Sequence, residues 1–323
     1  MARIGVLFGR EDTFPCALIE RINAAHMRGI EAEPVKVGAV AQGEPTGYAL
    51  ILDRISQDVP FYRSFLKNEA LCGTQVINDP FWTAADDKFF ENCLATKLGV
   101  AVPKTVMLPH KNLPPGTTDR SMRNLRFPLE WDRLFAEIGF PAFLKRHSGC
   151  GGSFVFKVRT PEEFFKAYAA SDAHVMMLQE NIEYESYFRC FCVNRENVRV
   201  MPYQPCCEHA RHYAANCSDA SPALLHRIVS DTLTLNRALG YDMNTCEFAI
   251  RRGVPVAIDF MNGSPDCDRE SVGEANFAWV VEATAKMLLE RVRAPRRESF
   301  RTARPTWSRP VSGTSAGLDS LPR

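Results

Sequence analysis

The chain has 323 residues, 46% apolar and 24% charged, a globular composition with room for two or three packed subdomains. Its formal net charge of +1 lacks the basic excess that nucleic-acid and anionic-membrane surfaces need, and no apolar run reaches the roughly 18–20 residues of a membrane span. The 11 cysteines, odd in number and scattered, read as reduced thiols of a cytoplasmic protein.

In chain order, the opening residues Met1 to Gly9 read as a first buried strand rather than a signal peptide. Phe14, Leu18, Ile19, Ile22 and Ala25 recur at helical spacing, so residues 14–27 are predicted helical. Strands are expected at 32–37, 48–52 and 75–77, with a helix over 60–72 and a turn at Asn78-Asp-Pro80. Strands alternating with helices imply a parallel sheet covered on its faces. A strong helix over 84–98 stops at Gly99, and a lead-in loop then feeds a strand ending at Leu108.

Residues 109–130 hold four prolines and mixed charge and read as a surface loop. Beyond it come a helix over 131–138 ending at Gly139, strands at 142–145 and 154–158, and a helix running to about Ala170. Thr160-Pro-Glu-Glu163 opens that helix as a capping box. After a strand at 175–179 the pattern becomes antiparallel. Hairpins turn at 194–197 and 251–253, helices span 224–239 and 272–292, and a disordered Pro/Arg/Ser/Thr-rich tail fills 293–323. Cys190/Cys192 and Cys206/Cys207 lack the CxxC spacing of a zinc site, so buried strand cysteines are the better reading.

Three stretches carry chemistry. Gly139-Phe-Pro-Ala-Phe-Leu-Lys145 leads into Arg-His-Ser-Gly149-Cys-Gly151-Gly152-Ser153: a lysine ending a buried strand, then a loop of glycines and serines. Such a loop turns backbone N–H groups toward an anion while the lysine adds fixed charge, although a glycine-rich hairpin without ligand has the same pattern. Next, the strand through Leu178-Gln179-Glu180-Asn-Ile182 delivers a carboxylate into a loop, suited to an adenine amino group or a ribose hydroxyl. Last, the hairpin from Glu247 to Asp259 and Asn262 puts two carboxylates on adjacent strands with an amide beyond, a hard-oxygen set suited to Mg²⁺.

In order and spacing these parts resemble the ATP-grasp superfamily, which includes D-alanine–D-alanine ligase and glutathione synthetase. The likeness covers roughly residues 3–292. Its matching pieces are Asp86-Asp-Lys88, Leu98-Gly-Val-Ala-Val-Pro103-Lys-Thr-Val, the loop at 145–153, Leu178-Gln-Glu180-Asn-Ile182, and the Glu247, Asp259, Asn262 end. The resemblance implies an α/β fold, α+β in its C-terminal part: an N-terminal α/β subdomain (1–83), a central subdomain with the glycine loop (84–178) and a C-terminal subdomain with the metal site (179–292). It implies that Lys88 and Lys145 hold ATP phosphates, with Lys104 competing for the first place. Gly149, Gly151, Gly152 and Ser153 would cover the phosphates. Gln179, Glu180 and Ile182 would form the adenine hinge, with Glu185 near the ribose, and Glu247, Asp259 and Asn262 would hold Mg²⁺ or Mn²⁺.

Two departures stand out. The superfamily's last pair is usually Glu-x-Asn, on one strand face; here Asp259-x-x-Asn262 demands a bulge or a strand end. Several ligases carry an arginine two residues before the first metal carboxylate, where this chain has Thr245. Arg189 and Arg211 are then the candidates to face the reacting carboxylate. Arg54 could bind a substrate carboxylate or pair with a neighbouring acid, and His209 and His212 flank Arg211 in a polar loop. The implied activity is ATP-dependent carboxylate–amine ligation through an acyl phosphate. A small-molecule phosphotransferase and a non-catalytic ATP-binding regulator are the alternatives. The expected partners are small-molecule carboxylate and amine substrates, neither nucleic acid nor membrane, with a homodimer left open.

Overall fold

Short apolar runs separated by amphipathic segments give the first eighty residues a parallel sheet, as their alternation predicts. The structure is a computed structural model that describes residues 1–81, 87–149, 154–205, 213 and 220–295; the expected tail lies outside these from residue 296 onward. Strands β1 (Ala2–Leu7), β2 (Ile30–Pro34), β3 (Leu50–Asp53) and β4 (Gln75–Ile77) pair in parallel in the order β2-β1-β3-β4. Helix α1 (Thr13–Asn23) presents Phe14, Leu18 and Ile22 to Ile4 and Val6, and the last helix of the chain joins the same core through Val280, Met287 and Leu288. Each such fully buried side chain contributes on the order of 1.5–3 kcal/mol. Helix α2 (Pro60–Leu71) covers the other face, with Phe65 and Leu66 against Leu7 and Ile51.

Helix α3 (Lys88–Lys97) is opened by Asp87, whose side chain accepts hydrogen bonds from the Phe89 and Phe90 N–H groups. A start at residue 84 is expected from sequence; residues 82–86 are outside the described set. Its Leu94 and Ala95 pack into the core of the C-terminal sheet with Phe188 and Cys190. A boundary at 84 groups this helix with the central unit instead. The central sheet has its own cover, so α3 buries its apolar side elsewhere.

That central sheet comprises β5 (Thr105–Leu108), β6 (Ala142–Arg146), β7 (Val155–Val158) and β8 (Met176–Glu180), antiparallel in the order β5-β8-β6-β7. Helices α4 (Trp131–Ile138) and α5 (Pro161–Ala170) cover one face, where Ile138, Phe164 and Tyr168 meet Leu144 and Leu178. Alternation turns Phe143, Lys145, Met177 and Gln179 to the opposite face. The surface loop before α4 contains a 3₁₀ turn, Asp119–Met122. At α5 the expected capping box is only half made. Thr160 accepts from the Glu163 N–H, but the Glu163 carboxylate accepts from the Arg159 N–H, one residue earlier than a box requires.

The third sheet, β10-β9-β11-β12, is antiparallel: β9 (Ser186–Val193), β10 (Asn197–Pro202), β11 (Met243–Arg251) and β12 (Val254–Asn262). Helix α6 (Pro222–Leu239) lies on one face against Phe188, Cys190, Cys246, Phe248 and Ala257, and stops at Gly240, whose φ of +75° suits glycine. Cys190, Cys192 and Cys246 are buried free thiols, as strand cysteines should be. The closing helix predicted over 272–292 forms, with a short helix just before it. Gly273, at φ +77°, ends α7 (Arg269–Val272), and α8 (Glu274–Arg293) runs on from it. No described helix is long and apolar enough to cross a membrane.

Candidate active site

With α6 on one face of the third sheet, β9 and β11 turn Tyr187, Arg189, Thr245 and Glu247 to the other. Arg189 stands directly opposite Glu247, and Glu247 opposite Asp259, so three adjacent strands present a charged row. The arginine Nε lies 3.6 Å from Glu247 Oε1, and the row continues to α3 through Lys88 Nζ, 3.4 Å from Asp259 Oδ1.

Asp259 reaches this row only because β12 bulges. Ala257, Phe260 and Met261 belong to the α6-side core, so strict alternation would bury Asp259 there too. The register slips once between Glu247 and Phe248 and again between Thr245 and Glu247. The first slip turns Asp259 to the open face. The second sets Asn262 opposite Thr245, which shares a face with Glu247. The Asp259-x-x-Asn262 spacing is therefore reconciled by a bulge, and all three oxygen-bearing side chains share one side of the sheet.

Burial pushes the Glu247 carboxyl above its ordinary range; Arg189 pulls it back, while Asp259 adds to the rise. Burial also pushes Asp259 up, but Lys88 and Lys145 more than offset it and hold the carboxyl below its usual value. Lys145 sits on β6, cross-strand from Met177 and Val155. Its burial lowers the ammonium to about 8, despite the attraction of Asp259. Arg189 keeps its charge, since Tyr213 and Glu247 outweigh the effect of burial. Its Nη1 donates to the Tyr213 hydroxyl at 3.0 Å, its Nη2 to Thr245 Oγ1 at 3.3 Å, and the guanidinium lies over the Tyr203 ring.

At the end of β8, the Gln179 amide donates to Thr105 Oγ1, and the Glu180 carboxylate accepts from Arg251 at 2.6 Å and from the Lys104 N–H. Ile182 is buried with Tyr187 and Val256. Glu185 accepts from the Arg252 and Gly253 N–H groups, so its carboxylate binds the β11–β12 turn. Lys104 thus meets Glu180 through its backbone, while Lys88 meets Asp259 through its ammonium. Lys88 also donates its N–H to the His147 carbonyl, tying α3 to the strand that leads into the glycine loop. Gly149 is exposed at the root of that loop; Gly151, Gly152, Ser153, His209, Arg211 and His212 lie outside the described residues.

Of the two readings of Arg54, the ion pair is the one formed. The side chain is fully buried, bonded to the Glu11 carboxylate and the Pro265 carbonyl, and stacked over the Phe14 ring. Asn78, read from sequence only as part of a turn, proves to be a clamp. Its amide oxygen accepts from the Asp242 and Met243 N–H groups, and its nitrogen donates to the Met243 and Gly263 carbonyls. Together Arg54 and Asn78 fix the start of β11 and the loop after Asn262 to the N-terminal sheet.

This arrangement of three sheets has counterparts in known structures. The RimK domain protein ATP-grasp from Sphaerobacter thermophilus superposes with a TM-score of 0.63 at 21% identity, covering 89% of this chain and 100% of that one. The chain has the ATP-grasp fold. D-alanine–D-alanine ligase from Bacillus anthracis, solved also in complex with ATP, gives a TM-score of 0.60 without the nucleotide, at 15% identity over 90% of this chain and 96% of its own. N5-carboxyaminoimidazole ribonucleotide synthetase from Thermus thermophilus gives 0.60 at 16% identity, over 90% and 77%. No protein-family model matches the sequence, and no curated protein matches it either. The ATP-grasp likeness is thus one of backbone geometry.

Proposed function

We propose that the protein is a cytoplasmic ATP-dependent carboxylate–amine ligase, forming an amide bond through an acyl phosphate. The observation that carries this reading is the Arg189–Glu247–Asp259–Lys88 row, with Lys145 close enough to Asp259 to hold its carboxyl down. Lysine and arginine charges gather beside these carboxylates, fixed cations that suit a polyphosphate.

Lys88 and Lys145 would bind the phosphates, and the apolar open face of the central sheet, with Phe143 and Met177, would take the adenine beside the 180–182 segment. The donor set fits a divalent metal. Glu247, Asp259 and Asn262 offer hard oxygens on one face. That suits Mg²⁺, which takes one or two carboxylates and fills its shell with water and substrate phosphates. Bound there, the metal would neutralise phosphate charge as it is transferred.

Arg189 would orient the substrate carboxylate. One carboxylate oxygen attacks the γ-phosphorus, and the bond to the β–γ bridging oxygen breaks to release ADP. The nitrogen of an amine then attacks the acyl carbon, phosphate leaves with the carbon–oxygen bond pair, and the nitrogen loses a proton. Fixed charges contribute most here, because phosphoryl transfer needs positioning and electrostatic stabilisation more than covalent help.

The test is ADP release from Mg·ATP against pooled amino acids and small carboxylates, with hydroxylamine present to trap acyl phosphate. Carboxylate-dependent ADP with a hydroxamate product is expected, and Lys145→Ala should abolish both. Failure to bind ATP would overturn the reading; ADP release without any hydroxamate or amide would move it to a phosphotransferase.

A further inference from the structure

Two residues of one strand, β9, contact Glu247. Tyr187 and Arg189 alternate on β9 and share the face of the charged row. The Tyr187 hydroxyl donates to Glu247 Oε2 at 2.8 Å, while Arg189 Nε stands 3.6 Å from Oε1, outside hydrogen-bond reach. The two contacts are of different kinds: one is a directed hydrogen bond, the other a charge held off.

The tyrosine is itself fixed. Its residue is 8% exposed, its ring packs at 5.2 Å from Tyr184 and 5.9 Å from Tyr203, and Ile182, Ala249 and Val256 close the pocket. A carboxylate offers about four lone-pair directions, and the phenol takes one of them on Oε2. Oε1, nearest to Arg189 Nε at 3.6 Å, keeps its lone pairs for another partner. Without the phenol, Glu247 loses its directed anchor and can rotate toward its cross-strand neighbour Arg189, since arginine and carboxylate favour direct pairing.

We infer that Tyr187 is a positioning residue for the divalent cation: its hydroxyl fixes the plane of Glu247, keeps that carboxylate off Arg189 and presents it to the metal. The inference rests on the proposed metal role of Glu247 and Asp259.

The experiment is Mn²⁺ binding to the full-length protein, followed by the electron paramagnetic resonance signal of free Mn²⁺, with a saturating non-hydrolysable ATP analogue. No turnover is needed. Wild type, Tyr187→Phe and Asp259→Asn are compared, and affinity for the analogue is measured separately without metal. Loss of a group that orients a metal ligand weakens metal binding by about 10–100-fold. Tyr187→Phe should therefore bind Mn²⁺ at least about tenfold more weakly, with metal-free analogue affinity unchanged. That unchanged affinity separates a positioning role from general damage to the cleft. Mn²⁺ affinity within about twofold of wild type in Tyr187→Phe, while Asp259→Asn loses it, overturns the role of Tyr187 and leaves the metal reading intact. Equal binding by all three proteins overturns both.

Discussion

Lys145 is costly to the free protein, and the cost can be measured. Burial holds its ammonium at about 8 against an ordinary 10.5, which at about 1.4 kcal/mol per pH unit is on the order of 3 kcal/mol against folding at neutral pH. The sign follows from proton binding. The folded protein holds this proton more weakly than the unfolded chain does, so the cost is full below about pH 8. Stability is regained as pH rises from about 8 toward 10.5, where both states are neutral. Lys145→Met keeps the stem and removes the charge. It should raise the stability of the ligand-free protein at pH 7 by about 1–3 kcal/mol and abolish ATP binding. Urea denaturation at pH 7 and near pH 10 reads the first effect, and the advantage of the variant should shrink at the higher pH. Calorimetry reads the second: wild-type ATP binding above about pH 8 should take up a proton, because the phosphates restore the ammonium. A Lys145→Met protein less stable than wild type at pH 7, or an advantage independent of pH, would refute the argument.

Two further substitutions test the clamps behind the site. Asn78→Ala removes four hydrogen bonds to buried backbone groups and should cost on the order of 3–5 kcal/mol in urea denaturation; a loss under about 1 kcal/mol would mean that water replaces the amide. Arg54→Met strands the Glu11 carboxylate beside a buried apolar side chain and should cost about 3–5 kcal/mol. Adding Glu11→Gln should recover more than half of that loss, and strict additivity in the double-mutant cycle would show that the pair is not coupled.

What was legible in the sequence was local. Helix α4 is read to the residue because Gly139, at φ +78°, can end it where a bulkier side chain would be strained. The parallel sheet follows from strand–helix alternation, and the two late hairpins from their polar turns. What was not legible depends on partners far along the chain. Asn78 reaches residues about 165 positions on, and Arg54 reaches Pro265 across 211. Nothing near either residue announces those partners. The packing of α3 is a similar case. Its amphipathic pattern predicts a helix but cannot say which of two sheets it covers. Tyr187 carried a faint signal, two residues before Arg189 on one strand, yet its meaning needs Glu247 from β11.

The bulged β12 shows how spacing and geometry bear on each other. A two-residue period at Asp259 and Asn262 would put one of them in the α6-side core, where a charge without a partner is expensive. The chain instead inserts residues at both sites, and each insertion restores the open face. Moving the carboxylate by sequence alone would not do, because Ala257, Phe260 and Met261 must all still reach the core. The bulges let one strand serve both faces out of strict alternation. Lys88 then reaches Asp259 from α3, a helix bound to the opposite face of that sheet. The charged row is therefore assembled by the C-terminal sheet and its own helix, and the central sheet supplies Lys145 from outside. A ligand bridging Lys145 to the row would join two separately built cores, which is what a nucleotide held between subdomains must do.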